Sequence, residues 1–171
     1  MVSDDSTVSE NIREASLDDL DQIKGIISAS SVFTADEEHE ILNCVEHYTQ
    51  EPEGDEFITY VYAVDGIVAG FISLGLGLGN KTYEVYWICV SPVHQGRGVG
   101  TKLLTFAENY AMRAEARILF VETSSKKEYG RARTLYEHGG YALSAVVRDY
   151  FDDGDDKVIY AKKLSSRPSA S

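Results

Sequence analysis

The sequence predicts an α/β fold, a mixed central sheet flanked by helices, and three observations carry that prediction. Apolar periodicities of two and of 3.6 residues alternate along the chain in the order β-α-α-β-β-β-α-β-α-β-β. Residues 83–90, rich in aromatic and β-branched side chains, pass through a glycine-rich turn straight into a helical pattern after Val99. The chain has 171 residues, 43% hydrophobic and 26% charged, which is enough for one well-packed domain and too little for two.

Taken in order, residues 1–10 and 165–171 read as disordered tails. Residues 11–14 form a short first strand. Ser16-x-x-Asp19 is a capping-box signal for a helix with Leu20, Ile23, Ile26 and Ile27 on one face. A second helix covers 35–47 with Ile41, Leu42 and Val45 inward, and 50–56 is a polar loop holding Pro52 and Gly54. Residues 57–64 alternate as a strand, Asp65-Gly66 signals a two-residue hairpin, and 67–76 return as its partner. Gly75, Gly77 and Gly79 alternate with leucines and predict a bend or bulge before a turn at Asn80. After strand 83–90 come a helix at 99–114 and an apolar strand at 117–123. Ser125 is expected to cap a helix over 126–138, with Gly139 or Gly140 at its C-terminal end. Residues 141–150 and 158–164 close as antiparallel strands around Asp152-Asp153-Gly154-Asp155-Asp156.

Composition narrows the function classes. No apolar run approaches the roughly 20 residues that span a bilayer, and the acidic start Ser3-Asp4-Asp5-Ser6 does not read as a secretory signal. Cys44 and Cys89 are too few for a disulfide framework, so the cytoplasm is the expected compartment. The four histidines show no metal-ligand spacing, and no metal is expected; the acidic run at 152–156 lacks the 12-residue calcium pattern. Residues 1–56 carry 16 acids against Arg13 and Lys24, a balance of −14, while the rest of the chain is at +2. The net charge of −12 disfavours a nucleic-acid partner. Two explanations of the acidic half stand side by side: a field that attracts cationic amines, and a salt-adapted surface whose charge only solvates.

The segment Gln95-Gly96-Arg97-Gly98-Val99-Gly100 carries the most information. A strand that turns through glycines into a helix presents unpaired N–H groups with the helix dipole behind them, a site for phosphate. Side chains at 96, 98 or 100 would hold phosphates off the backbone or bar a positive φ. The spacing is neither the dinucleotide fingerprint nor the phosphate loop of nucleotide triphosphatases. Gln-x-x-Gly-x-Gly resembles the acetyl-coenzyme A loop of the Gcn5-related N-acetyltransferase (GNAT) superfamily. A second motif, Ala132-x-x-x-Tyr136-Glu137-x-x-Gly140-Tyr141, resembles that superfamily's late helix. The resemblance runs from about residue 11 to 164 and implies the GNAT-like acyltransferase fold, with acetyl-CoA as cosubstrate.

The resemblance also implies site residues. Gln95, Gly96, Arg97, Gly98, Val99, Gly100 and Thr101 would hold the pyrophosphate, mostly through backbone amides. The backbone of Cys89 and Val90 would pair with the pantetheine arm, and Arg131 and Arg133 are available for the nucleotide phosphate. Tyr136 would protonate the departing thiolate, a task that suits a phenol with a reference pKa near 10. Many members carry Asn where this chain has Tyr129, which puts that pantetheine contact in doubt. Glu84 stands 11 residues before Gln95, the separation of the catalytic glutamate in the histone acetyltransferase branch. An acid in so apolar a strand faces a cleft or a partner, and burial would raise its pKa toward a useful range. A water chain is the other candidate base, and the alternation Glu84, Tyr86, Ile88 could instead mark a solvated face. The expected reaction is acetyl transfer from acetyl-CoA to a primary amine in a ternary complex, on a small molecule or a protein N-terminus. A non-catalytic acyl-CoA-binding module and transfer of a different acyl group are the alternatives. No membrane partner is expected, and a homodimer is left open.

Overall fold

Where apolar spacing changes from one period to the other, the backbone changes with it. The computed structural model describes residues 10–164, so the tails read at 1–9 and 165–171 lie outside the described residues, and Glu10 joins the first strand. The elements are β1 (Glu10–Glu14), α1 (Leu20–Ser30), α2 (Ala35–Gln50), β2 (Ile58–Val64), β3 (Ile67–Leu76), β4 (Thr82–Val90), α3 (Val99–Arg113), β5 (Ile118–Ser124), α4 (Gly130–His138), β6 (Ala142–Asp152) and β7 (Asp155–Lys163). Their order is the predicted one. They build one sheet in the order β1-β2-β3-β4-β5-β7-β6. Neighbours are antiparallel except β4 and β5, which run parallel with α3 as their crossover.

The first helical turn forms through the predicted capping box, reinforced by an ion pair. Asp19 accepts from the Ser16 N–H at 2.8 Å and from both terminal Arg13 nitrogens at 2.7 and 2.8 Å. A 3₁₀ turn at Leu17–Asp19 then leads into α1. The hydrogen bonds from Arg13 hold the Asp19 carboxyl down at about 2, from an ordinary 3.8. A depressed carboxyl contributes stability that is full above its ordinary value and is lost as pH falls through about 2. Asp19→Asn is therefore expected to cost about 1–2 kcal/mol at pH 7 and nearly nothing at pH 2, read from urea melts at both.

Helix α2 starts at Thr34, whose hydroxyl accepts from Glu37 N, and runs one turn past the expected end. In the β2–β3 hairpin Asp65 and Gly66 sit at φ 50° and 81°, the two left-handed positions of a type I′ turn. One expectation is corrected. Ser125 does not cap α4; its hydroxyl accepts from Asp156 N, Ser124 Oγ accepts from Lys126 N, and a 3₁₀ turn at Lys127–Tyr129 precedes α4. The glycines at 75, 77 and 79 lead into the expected bend, at 78–79, and the turn at Asn80; they mark no bulge, because the β3 irregularities fall elsewhere. At Gly75 a Cβ would run into the Glu56 carbonyl oxygen, so the missing side chain lets the 51–57 loop cross β3. At the end of α4, Gly140 takes the left-handed conformation, φ 83°.

The sheet buries a core on each face. Helices α3 and α4 cover one, with Leu103, Leu104, Ala107 and Tyr136 packed on Ile72, Leu74, Val85, Leu119 and Val121. Helices α1 and α2 cover the other, with Ile23, Ile27, Ile41 and Val45 on Val61, Phe71 and Cys89. Strand β4 changes parity between them. Leu74 pairs with Val85 and Ser73 with Trp87, which leaves Tyr86 as a bulge. Tyr83, Val85, Ile88 and Val90 therefore face α3, while Tyr86, Trp87 and Cys89 face α1 and α2.

Candidate active site

β4 and β5 pair only from Thr82↔Ile118 to Val85↔Val121, although β4 continues to Val90 and β5 to Ser124. Beyond Val85 β4 keeps its β3 partner and β5 its β7 partner, so the two part from each other and open a wedge at the centre of the sheet. Edges parted in this way leave backbone groups free to pair with a guest, and Cys89 and Val90 lie on that stretch. The Cys89 thiol is buried on the α1 side, its pKa pushed up to about 11 by burial. Only its backbone is available to the wedge.

The glycine-rich loop closes the wide end of the wedge. Gly96 and Gly98 have φ of 74° and 79°, and a Cβ on either would meet nothing within 4 Å. Both are glycine for conformation, and the space before them is open. Gly100 has another reason: its Cβ would press on Leu135 of α4 at 3.2 Å, and Val90 stands 3.7 Å away. Helix α3 begins at Val99 without a side-chain cap, and its first bond runs from Lys102 N to Gly98 O. The Val99, Gly100 and Thr101 amides thus stand free at the positive end of a 15-residue helix. A diphosphate fits such a cradle.

The loop side chains divide in two. Arg97 is exposed and has no partner among the described residues. Gln95 is engaged at both ends of its amide, donating to Val90 O at 3.4 Å and accepting from Arg131 Nη1 at 2.5 Å. Arg133 donates to the Ser124 and Lys126 carbonyls at 2.6 and 2.8 Å, where it ties α4 to the end of β5. Of the two helix arginines, Arg131 is the one that reaches the glycine loop. Tyr129 donates to Val32 O at 3.3 Å and meets Phe33 edge-on, joining the start of α4 to the α1–α2 connection.

Glu84 and Tyr136 stand on opposite faces of the sheet, on either side of the line where β4 and β5 part. Glu84 lies between Tyr83 and Val85, both in the α3 core, so its side chain points to the other face. It is half-buried there. Burial first, and then the nearby Glu122 carboxylate, push its pKa up to about 7, against the opposing Lys157. Tyr136 is 3% exposed on α4, its ring 5.9 Å from that of Tyr160 and 6.1 Å from that of Tyr141. Burial pushes its phenol well above the ordinary value, so it keeps its proton. Glu122 and Lys157 had not been singled out in the sequence. An acid inside an apolar strand, the cue that marked Glu84, marks Glu122 as well.

A central parallel pair that splays beside an uncapped helix start is the arrangement that the resemblance to the GNAT acyltransferases implies. The model of the acetyltransferase (GNAT) family matches residues 20–141, and the chain belongs to that family. An uncharacterized N-acetyltransferase of Methanocaldococcus jannaschii is 30% identical over 104 residues, 61% of this chain and 65% of that protein. The S-(2-succino)cysteine N-acetyltransferase of Bacillus subtilis is 28% identical over 50% of this chain and 54% of its own length. The chain thus spans between half and two thirds of the curated relatives it matches. A GNAT-family structure from Desulfovibrio desulfuricans superposes with a TM-score of 0.86 at 26% identity, covering 92% of this chain and all of that one. A Salmonella typhimurium structure with acetyl-CoA bound shares the fold at a TM-score of 0.70 and 21% identity, over 95% of this chain and 98% of that one. Among the described residues no helix is long and apolar enough to cross a membrane, and no group of three His, Cys, Asp or Glu is placed to hold a metal ion.

Proposed function

We propose that this protein transfers the acetyl group of acetyl-CoA to a primary amine while both substrates are bound. One observation carries the reading: a carboxyl poised near neutrality and a buried phenol flank the place where β4 and β5 part. The Val99, Gly100 and Thr101 amides, with Arg97 beside them, hold the diphosphate of the coenzyme. The free stretch of β4 at Cys89 and Val90 guides its pantetheine arm into the wedge. Glu84, directly or through an ordered water, accepts a proton from the ammonium form of the acceptor. The amine nitrogen then forms its bond to the acetyl carbon as the carbon–sulfur bond breaks, Tyr136 gives its proton to the thiolate, and the second proton of the acetylated nitrogen is lost to water, from which the phenolate takes its proton back.

The acidic first third of the chain supports a small cationic amine as the acceptor. Two unpaired cysteines, Cys44 and Cys89, are in keeping with a cytoplasmic site of action. The deciding measurement is a panel of primary amines assayed for thiol release from acetyl-CoA, with propionyl- and succinyl-CoA in parallel. Amine-dependent thiol release is expected with acetyl-CoA first. Calorimetric binding of CoA without release to any amine would instead make the chain a binding module, and preference for a larger acyl group would replace acetyl.

A further inference from the structure

On the face that carries Glu84, three charged groups stand on three adjacent strands. Glu84 of β4 lies opposite Phe120 of β5, and Glu122 follows two residues later on the same face. Glu122 pairs with Ile159 of β7, and Lys157, two residues from Ile159, reaches across to place Nζ 2.6 Å from Glu122 Oε2. Lys157 is shut in: its side chain is 14% exposed, and its Nζ lies 3.7 Å from the centre of the Tyr150 ring of β6.

The other groups around Glu84 are few. β3 offers Gly75, which has no side chain, with the Glu56 backbone crossing above it. On β4 the Tyr86 phenol donates to Leu76 O, and Tyr48 of α2 and Glu56 act on that phenol. Glu122 and Lys157 are the charges that act on Glu84 itself.

We propose that Glu122 and Lys157 are a positioning pair for Glu84: the carboxylate helps it keep a proton, and the ammonium limits that hold. Neither touches the reacting atoms. A lone like charge beside Glu84 would raise its pKa further, and a lone cation would lower it. The two together leave it able to take up and release a proton near neutral pH. The inference rests on the reading of Glu84 as the proton acceptor, and the test separates the two.

The test is the pH profile of kcat/KM for the wild type, Lys157→Met, Glu122→Gln and Glu84→Gln with an amine from the panel. Lys157→Met is expected to move the acid limb up by about one pH unit and Glu122→Gln to move it down by about as much, the scale of a single neighbouring charge. Lys157→Arg, which keeps the charge, should return the limb to its wild-type place. Opposite shifts from the two halves of one ion pair have no counterpart in a merely structural role, which would lower rate and stability together in both. Limbs that stay in place, or move the same way, overturn the inference. A Glu84→Gln enzyme that retains the wild-type limb overturns instead the role of Glu84. If Lys157→Met does not fold, the Glu84 carboxyl resonance is titrated by NMR in wild type and Glu122→Gln; a lower midpoint in the variant supports the inference, and an unchanged one overturns it.

Discussion

Glu84→Gln is expected to lower kcat/KM about 10²–10⁴-fold at pH 7, the usual contribution of one positioned base. The wild-type rate should climb with pH until the carboxyl is ionised, levelling above about 7, the value set by burial and Glu122. In the variant only the free amine from solution can react, so its rate should keep rising to the amine's own pKa and the deficit should shrink in alkali. Stability should move the other way. A carboxyl whose folded pKa lies above the ordinary 4.5 binds its proton more tightly when folded, so ionising it weakens the fold. That cost is complete above pH 7, and the amide, which never ionises, should melt at a higher temperature at pH 8. Lower turnover with a higher melting temperature is the signature of a group kept for chemistry. A loss of rate that is equal at every pH, or a lower melting temperature at pH 8, would make Glu84 a structural residue.

Gly98→Val is expected to weaken CoA binding more than 100-fold, or roughly 3 kcal/mol. A β-branched side chain at φ 79° is strained by of order 1–3 kcal/mol. It would also stand before the amides of Val99, Gly100 and Thr101, each of which loses a charge-assisted hydrogen bond if the diphosphate is pushed away. Strain and contact are separable because the chain has a matched position. Gly66 sits at φ 81° in the β2–β3 hairpin, also with nothing within 4 Å of a would-be Cβ. Gly66→Val should lower the melting temperature by a similar amount and leave CoA affinity intact by calorimetry. Equal effects of both variants on affinity would reduce the loop to a fold element.

Much of this was legible in residue patterns, and the exceptions have physical causes. Periodicity placed the strands and α-helices within a few residues because most of them bury a stripe of their own; β6, exposed along its length, is instead marked by the turn that joins it to β7. The glycine loop was readable because its requirement, a backbone without side chains, is local. Parity in β4 was not. Strict alternation puts Glu84, Tyr86 and Ile88 on one face, but the bulge at Tyr86 sends Ile88 to the α3 core and leaves Tyr86 and Trp87 on the other side. That bulge belongs to the β3 pairing, which no local pattern encodes. Ser125 failed as a cap for a similar reason: two neighbouring serines compete, and the distant Asp156 amide takes its hydroxyl. The Glu122–Lys157 pair joins residues 35 positions apart, so only β5–β7 register brings them together.

Strand β6 ends the sheet with all 11 of its residues exposed, among them Leu143, Val146, Val147, Tyr150 and Phe151. A flat apolar border of that length would recruit foreign strands and seed aggregates. Its pairing with β7 slips once between Leu143 and Ala145 and again between Val147 and Asp152, and Asp149 kinks into a left-handed turn at φ 48°. A straight intruder would find register for only two or three residues before the border bends away. Ironing out those irregularities, for instance by replacing Asp149 with valine, would be the quickest way to make that border sticky.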